Sequence, residues 1–110
     1  MTTMKKDTIN LNQKEVPLTE RIRAFNKFAG QTQKALLDLF MGGVDIPFHI
    51  SGTQGQIDSF MKVLSREKRY MDSYRRNGLN DPRTLNSRHS LAAAVQRFEG
   101  ETGLRWPFKN

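Results

Sequence analysis

The chain has 110 residues, 36% of them apolar, and carries a formal net charge of +7. Without cysteine it has no disulfide, no thiolate metal site and no cysteine nucleophile, and no apolar run approaches the ~18 residues needed to span a bilayer. One small cytoplasmic domain is expected, because the basic first residues run into polar sequence where a secretory signal needs an apolar stretch.

Residues 1–16 are polar, with isolated Ile9, Leu11 and Val16, and read as a flexible N-terminal arm. The alternation of Ile9 and Leu11 also permits a short edge strand at about 8–12. Residues 17–110 form the domain. A first helix is expected over about 19–41. Thr19 is its candidate N-cap, and Ile22, Phe25, Phe28, Leu36, Leu39 and Phe40 recur every three to four residues. Gly30 weakens its middle, and Gly42 and Gly43 end it.

Residues 44–50 alternate strictly, with Val44, Ile46, Phe48 and Ile50 on one side and Asp45, Pro47 and His49 on the other. This is one half-buried strand. Its mate is either the 8–12 segment or the same strand of a second copy, which would make a homodimer through 44–50. A second helix is expected over 54–77, capped by Ser51 or Thr53 and stopped at Gly78. A third ends at Thr102, before Gly103, and starts either at Pro82 behind Asp81 or at residue 86 or 87. The fold class is mainly α: three amphipathic helices (19–41, 54–77 and 82/87–102) with one strand, and α+β if that strand is paired. The expected core comprises Ile22, Phe25, Phe28, Leu36, Leu39, Phe48, Ile57, Phe60, Leu64, Val95 and Phe98. The order strand, helix, helix is that of the ribbon-helix-helix DNA binders. Here the second helix is too long, and Asp45, Pro47 and His49 replace that family's basic or amide base-reading side chains, so no family is assigned.

The charge is uneven. Residues 51–110 hold eleven Lys/Arg and six Asp/Glu, against seven and five in residues 1–50. Between Arg66 and His89 there are seven Lys/Arg and three Asp/Glu, a local net of +4. At 100° per residue Lys62, Arg66, Arg69 and Arg76 fall on one stripe opposite the apolar face, beside Ser65 and Ser73. A row of cations about one turn apart can follow a line of phosphates, and serine hydroxyls add neutral donors. Glu67 and Asp72 offer local salt-bridge partners to that stripe. Lys68 and Arg75 project toward the apolar face, where they either snorkel or belong to helical turns that have left the core. Arg83 and Arg88 extend the patch.

Two functions follow. The first is a non-enzymatic nucleic-acid-binding protein, DNA or RNA, using Lys62, Arg66, Arg69, Arg75, Arg76, Arg83 and Arg88 on phosphates. The second is an adaptor or inhibitor that docks on an acidic protein surface through Tyr70, Tyr74, Trp106 and Phe108, aromatic residues being frequent interface anchors. Trp106-Pro107-Phe108 is too apolar for a solvated tail and is expected to fold back and cap the small core, a docking peptide being the alternative; the bland reading of the cations is a solvated helix face. No catalytic residue, cofactor or metal is expected. The serines show no nucleophile–base pattern, His49 and His89 lack carboxylates at ligand spacing, and Asp45 beside His49 reads as a surface ion pair.

Overall fold

The computed structural model describes residues 7–12, 17–30 and 48–108. The described elements are β1 (Asp7–Asn10), α1 (Leu18–Ala29), β2 (Phe48–Ser51), α2 (Gln54–Asn77) and α3 (Pro82–Thr102). The protein is mainly α, with one short strand pair.

The N-terminal segment is part of the fold, which corrects the expectation of a flexible arm for residues 7–12. Ile9 and Leu11 are completely buried while Thr8 is exposed and Asn10 half-buried, so the period of two is realised. β1 pairs with β2 in parallel, in the register Asp7↔Phe48, Thr8↔His49, Ile9↔Ile50 and Asn10↔Ser51. The Leu11 amide extends the ladder by donating to the Ser51 carbonyl at 2.7 Å. A parallel pair requires a long crossover, and α1 lies inside it. The strand's mate is thus the same chain's N-terminal segment, the first of the two partners expected for it. Val44–Pro47 of the expected strand lie outside the described residues.

α1 starts one residue earlier than expected. Pro17, not Thr19, occupies the cap position, with φ −56° and ψ 149° and no side-chain cap bond. Proline's fixed φ suits the entry to a helix, and its carbonyl receives the Arg21 amide at 3.0 Å. The described helix closes at Ala29, where the Gly30 amide donates to the Asn26 carbonyl. The rest of the expected 19–41 span, with Leu36 and Leu39, lies outside the described residues.

α2 spans the expected 54–77 and opens with a capping box. The Gln56 amide donates to Thr53 Oγ1 at 3.2 Å, and the Thr53 amide donates to Gln56 Oε1 at 2.9 Å. α3 takes the earlier of its two starts. Asp81 accepts from the Arg83 amide at 2.9 Å, and Pro82 fills the first turn, where its missing N–H costs nothing. Gly103 ends the helix at φ 74°, a left-handed position that favours glycine.

The core is built on aromatic rings. Phe28 of α1, Phe60 of α2 and Phe98 of α3 surround Trp106, and Phe25 of α1 packs on Phe28 and Phe98, with ring centroids 5.1 to 6.0 Å apart. Trp106 is 1% exposed, Leu104 is equally buried, and Phe108 packs on the cluster from the rim. The C-terminal segment is therefore the centre of the core. Ile22, expected inside, is 44% exposed. Arg21 takes the inward position instead, and its guanidinium donates to the Thr102 carbonyl at the end of α3. The two are neighbours in sequence, so only one can face inward, and α1 turns the side that ties it to α3.

Candidate nucleic-acid interface

α2 and α3 run antiparallel as a hairpin, joined by the short turn at Gly78–Asp81. Ser73 and Thr84 lock the hairpin, their hydroxyls 2.9 Å apart, with Thr84 fully buried. Asn77 donates to Ser73 Oγ at 3.3 Å. Alongside this contact runs a groove of about 520 Å³. Lys68, Arg69 and Arg76 of α2 and Arg83 of α3 supply its cations, and Asp72 is its one acid. Ser65, Ser73, Asn77 and Ser87 supply neutral polar groups. Four cations against one acid leave the lining at +3.

Lys62, Arg66, Arg69, Arg75 and Arg76 make no hydrogen bond or ion pair with described residues. Ion pairs join Arg83 to Asp81 and Arg97 to Glu101, both at 3.0 Å. Asp72 forms no salt bridge with a described residue, and Glu67 faces the core instead of the cationic stripe. Arg83 differs from the other cations. It grips Asp81 with Nε and Nη2, which holds the Asp81 carboxyl below its usual range and raises the guanidinium.

The structure divides the seven cations expected to bind. Arg69, Arg76 and Arg83 come together in the groove. Lys62, Arg66 and Arg75 do not line it; Lys62 and Arg75 are exposed and Arg66 is half-buried. Arg88 lies apart, lining a smaller depression with Leu91, Val95, Glu99 and Phe108. Lys68 is a gain. It was expected on the apolar side, yet it stands 100° round the helix from Glu67, at the flank of the buried arc, and that flank opens into the groove. Ser87 is also a gain, and no pattern within α2 signalled it, because only the hairpin brings it near Ser73.

The aromatic anchors divide differently. Tyr70 is buried, Trp106 is in the core and Phe108 is half-buried; Tyr74 is 48% exposed. α2 continues unbroken past Tyr70 to Asn77, so its last turn extends beyond the core and exposes Tyr74 and Arg75 together. Three of the four residues offered for docking are thus unavailable as free anchors.

The buried face of α2 holds a polar pair. Trp106 Nε1 donates to Glu67 Oε1 at 2.9 Å, and the Trp106 amide donates to Glu99 Oε2 at 2.8 Å. Glu67 is 1% exposed, and burial pushes its carboxyl up to about 7 against the opposing effect of the indole N–H. This corrects the expectation of Glu67 as a salt-bridge partner of the outer stripe; the signal for its burial is its place one turn after Val63 and Leu64 and just before Tyr70.

His49 and His89 are both exposed and far apart in the chain. Among the described residues no group of three or more His, Asp or Glu is placed to hold a metal, and no helix is long and apolar enough to cross a membrane. No protein-family model, curated protein or solved structure matches this chain.

Proposed function

We propose that this is a non-enzymatic, cytoplasmic nucleic-acid-binding protein whose α2–α3 groove holds the phosphate backbone. One observation carries the reading: Lys68, Arg69 and Arg76 line a common groove with Arg83 and have no partner among the described residues. Opposite charges at one-turn spacing can pair on a helix surface, and here Lys68, Arg69 and Arg76 leave their donors free of described residues. Serine hydroxyls at the groove edge complete a lining suited to phosphate oxygens. Lys62, Arg66 and Arg75 would add long-range attraction from outside the groove, and Arg88 would contribute least.

Docking on an acidic protein surface is the weaker reading, because burial of Tyr70 and Trp106 removes the anchors it needs.

A salt titration of binding to labelled oligonucleotides tests the proposal. Each phosphate neutralised contributes a log–log slope of about −0.7 on single strands or about −0.9 on duplex. Binding that stays flat between about 50 and 200 mM salt would count against phosphate contacts. Replacing Arg69 and Arg76 by glutamine should lower the slope by about 2.

A further inference from the structure

One groove residue has the wrong sign for phosphate. Asp72 is half-buried and lies one helical turn from both Lys68 and Arg76 and three residues from Arg69. These are the spacings at which helix ion pairs form. None forms, and Asp72 accepts no hydrogen bond from any described residue. An ionised carboxylate offers about four lone-pair positions. In this groove they face the cavity, while the neighbouring cations keep their donors for something else.

A groove that merely tracked phosphates would lose by this arrangement, since the carboxylate repels the ligand. A ligand that satisfies both signs must carry an anion and N–H donors within one groove's width. A nucleotide does so, with a phosphate at one end and a base edge at the other. Carboxylates accept from the exocyclic amino group of cytosine, whereas thymine presents a carbonyl oxygen at the same position and would be repelled. The concave form of the site favours an unpaired strand, because a duplex receives convex helices in its grooves and cannot itself enter a cleft between two helices.

Resting on the nucleic-acid reading of the same groove, we infer that Asp72 gives it a base preference: it binds single strands and favours cytosine over thymine, the carboxylate accepting from the base amino group while Arg69 and Arg76 hold the adjacent phosphate.

Fluorescence anisotropy with labelled oligo-dC and oligo-dT of equal length, at slightly alkaline pH to keep oligo-dC unfolded, tests this. Wild-type protein should bind oligo-dC roughly tenfold tighter, within the range of one good base contact. Asp72→Ala should abolish the preference, chiefly by tightening oligo-dT through lost repulsion, with an unchanged melting temperature. Equal binding of the two oligonucleotides by wild type, or a preference that survives in Asp72→Ala, overturns the inference. So does a duplex of mixed sequence that competes as well as oligo-dC. The double variant Arg69→Gln/Arg76→Gln separates the two levels. If it binds both oligonucleotides as wild type does, the groove is not the site and both ideas fail. If it weakens both while wild type shows no base preference, only the role of Asp72 falls.

Discussion

Glu67 and Asp72 are two carboxylates five residues apart on one helix, in opposite circumstances. Glu67 faces the aromatic core, is held by the Trp106 indole, and has its proton affinity raised by burial. Asp72 lies in a groove beside three α2 cations and pairs with none of them. On the inner face Glu67 is engaged by the fold. On the outer face Asp72 and the cations beside it are left over. Charges that a fold satisfies internally serve its stability, and charges it leaves unsatisfied in a groove are available to a ligand.

That contrast can be broken by exchanging readouts. Changes on the inner face should alter stability and leave oligonucleotide affinity intact in the protein that remains folded, and changes on the outer face should do the reverse. The largest effect is expected from Trp106→Ala, which removes the central ring and orphans buried Glu67. A loss of about 3–5 kcal/mol in denaturant unfolding is expected, enough to unfold a small domain. A stable, cooperatively unfolding variant would show that the tail is peripheral.

Next comes the pH dependence of stability. The folded Glu67 carboxyl titrates near 7, above its ordinary value of 4.5. The native state therefore holds a proton that the unfolded state releases between these values. Its contribution is fully present below about 4.5 and lost as pH rises through 7, up to about 3 kcal/mol in all. Glu67→Gln keeps an oxygen for the indole to donate to and should flatten the stability profile between mildly acidic and mildly alkaline pH. An equally steep profile in that variant would place the titration elsewhere.

On the outer face, Arg69→Gln/Arg76→Gln should weaken oligonucleotide binding roughly 100-fold, as expected for two charge-assisted contacts, with no change in melting temperature. Unaltered affinity would return these cations to the role of a solvated surface. The smallest effect belongs to the boundary between the faces. Thr84→Val removes the hydroxyl that meets Ser73 and should cost about 1 kcal/mol of stability. It should also loosen groove geometry, so a modest affinity loss beside that stability loss would show that the hairpin lock shapes the site.

The helical part of this fold was legible because its signals are local. Thr53 with Gln56, Asp81 before Pro82, and Gly78 and Gly103 after their helices each act within one turn, and α2 runs over its expected span. β1 was ambiguous because four residues that bury Ile9, with Leu11 just beyond them, are too short to declare themselves without a partner. Ile22 lies outside and its neighbour Arg21 inside because periodicity marks a helix face only to within a residue.

The stripe of cations on α2 was likewise a matter of helix geometry, and Arg69 and Arg76 remain on one side of it. What periodicity could not supply was the other wall. Arg83 and Ser87 reach the groove only because α3 folds back along α2, and Arg88, equally basic in the sequence, is turned away by the same packing.

By itself the sequence determined three helices, both ends of α2, the end of α3 and the cationic side of α2, because these depend on interactions spanning a few residues. Tertiary structure alone decided that β1 joins β2, that Trp106 occupies the centre of the core, and that particular charges share one groove. Each of those depends on segments distant in the chain meeting in space, and burial of the aromatic rings selects which of them meet.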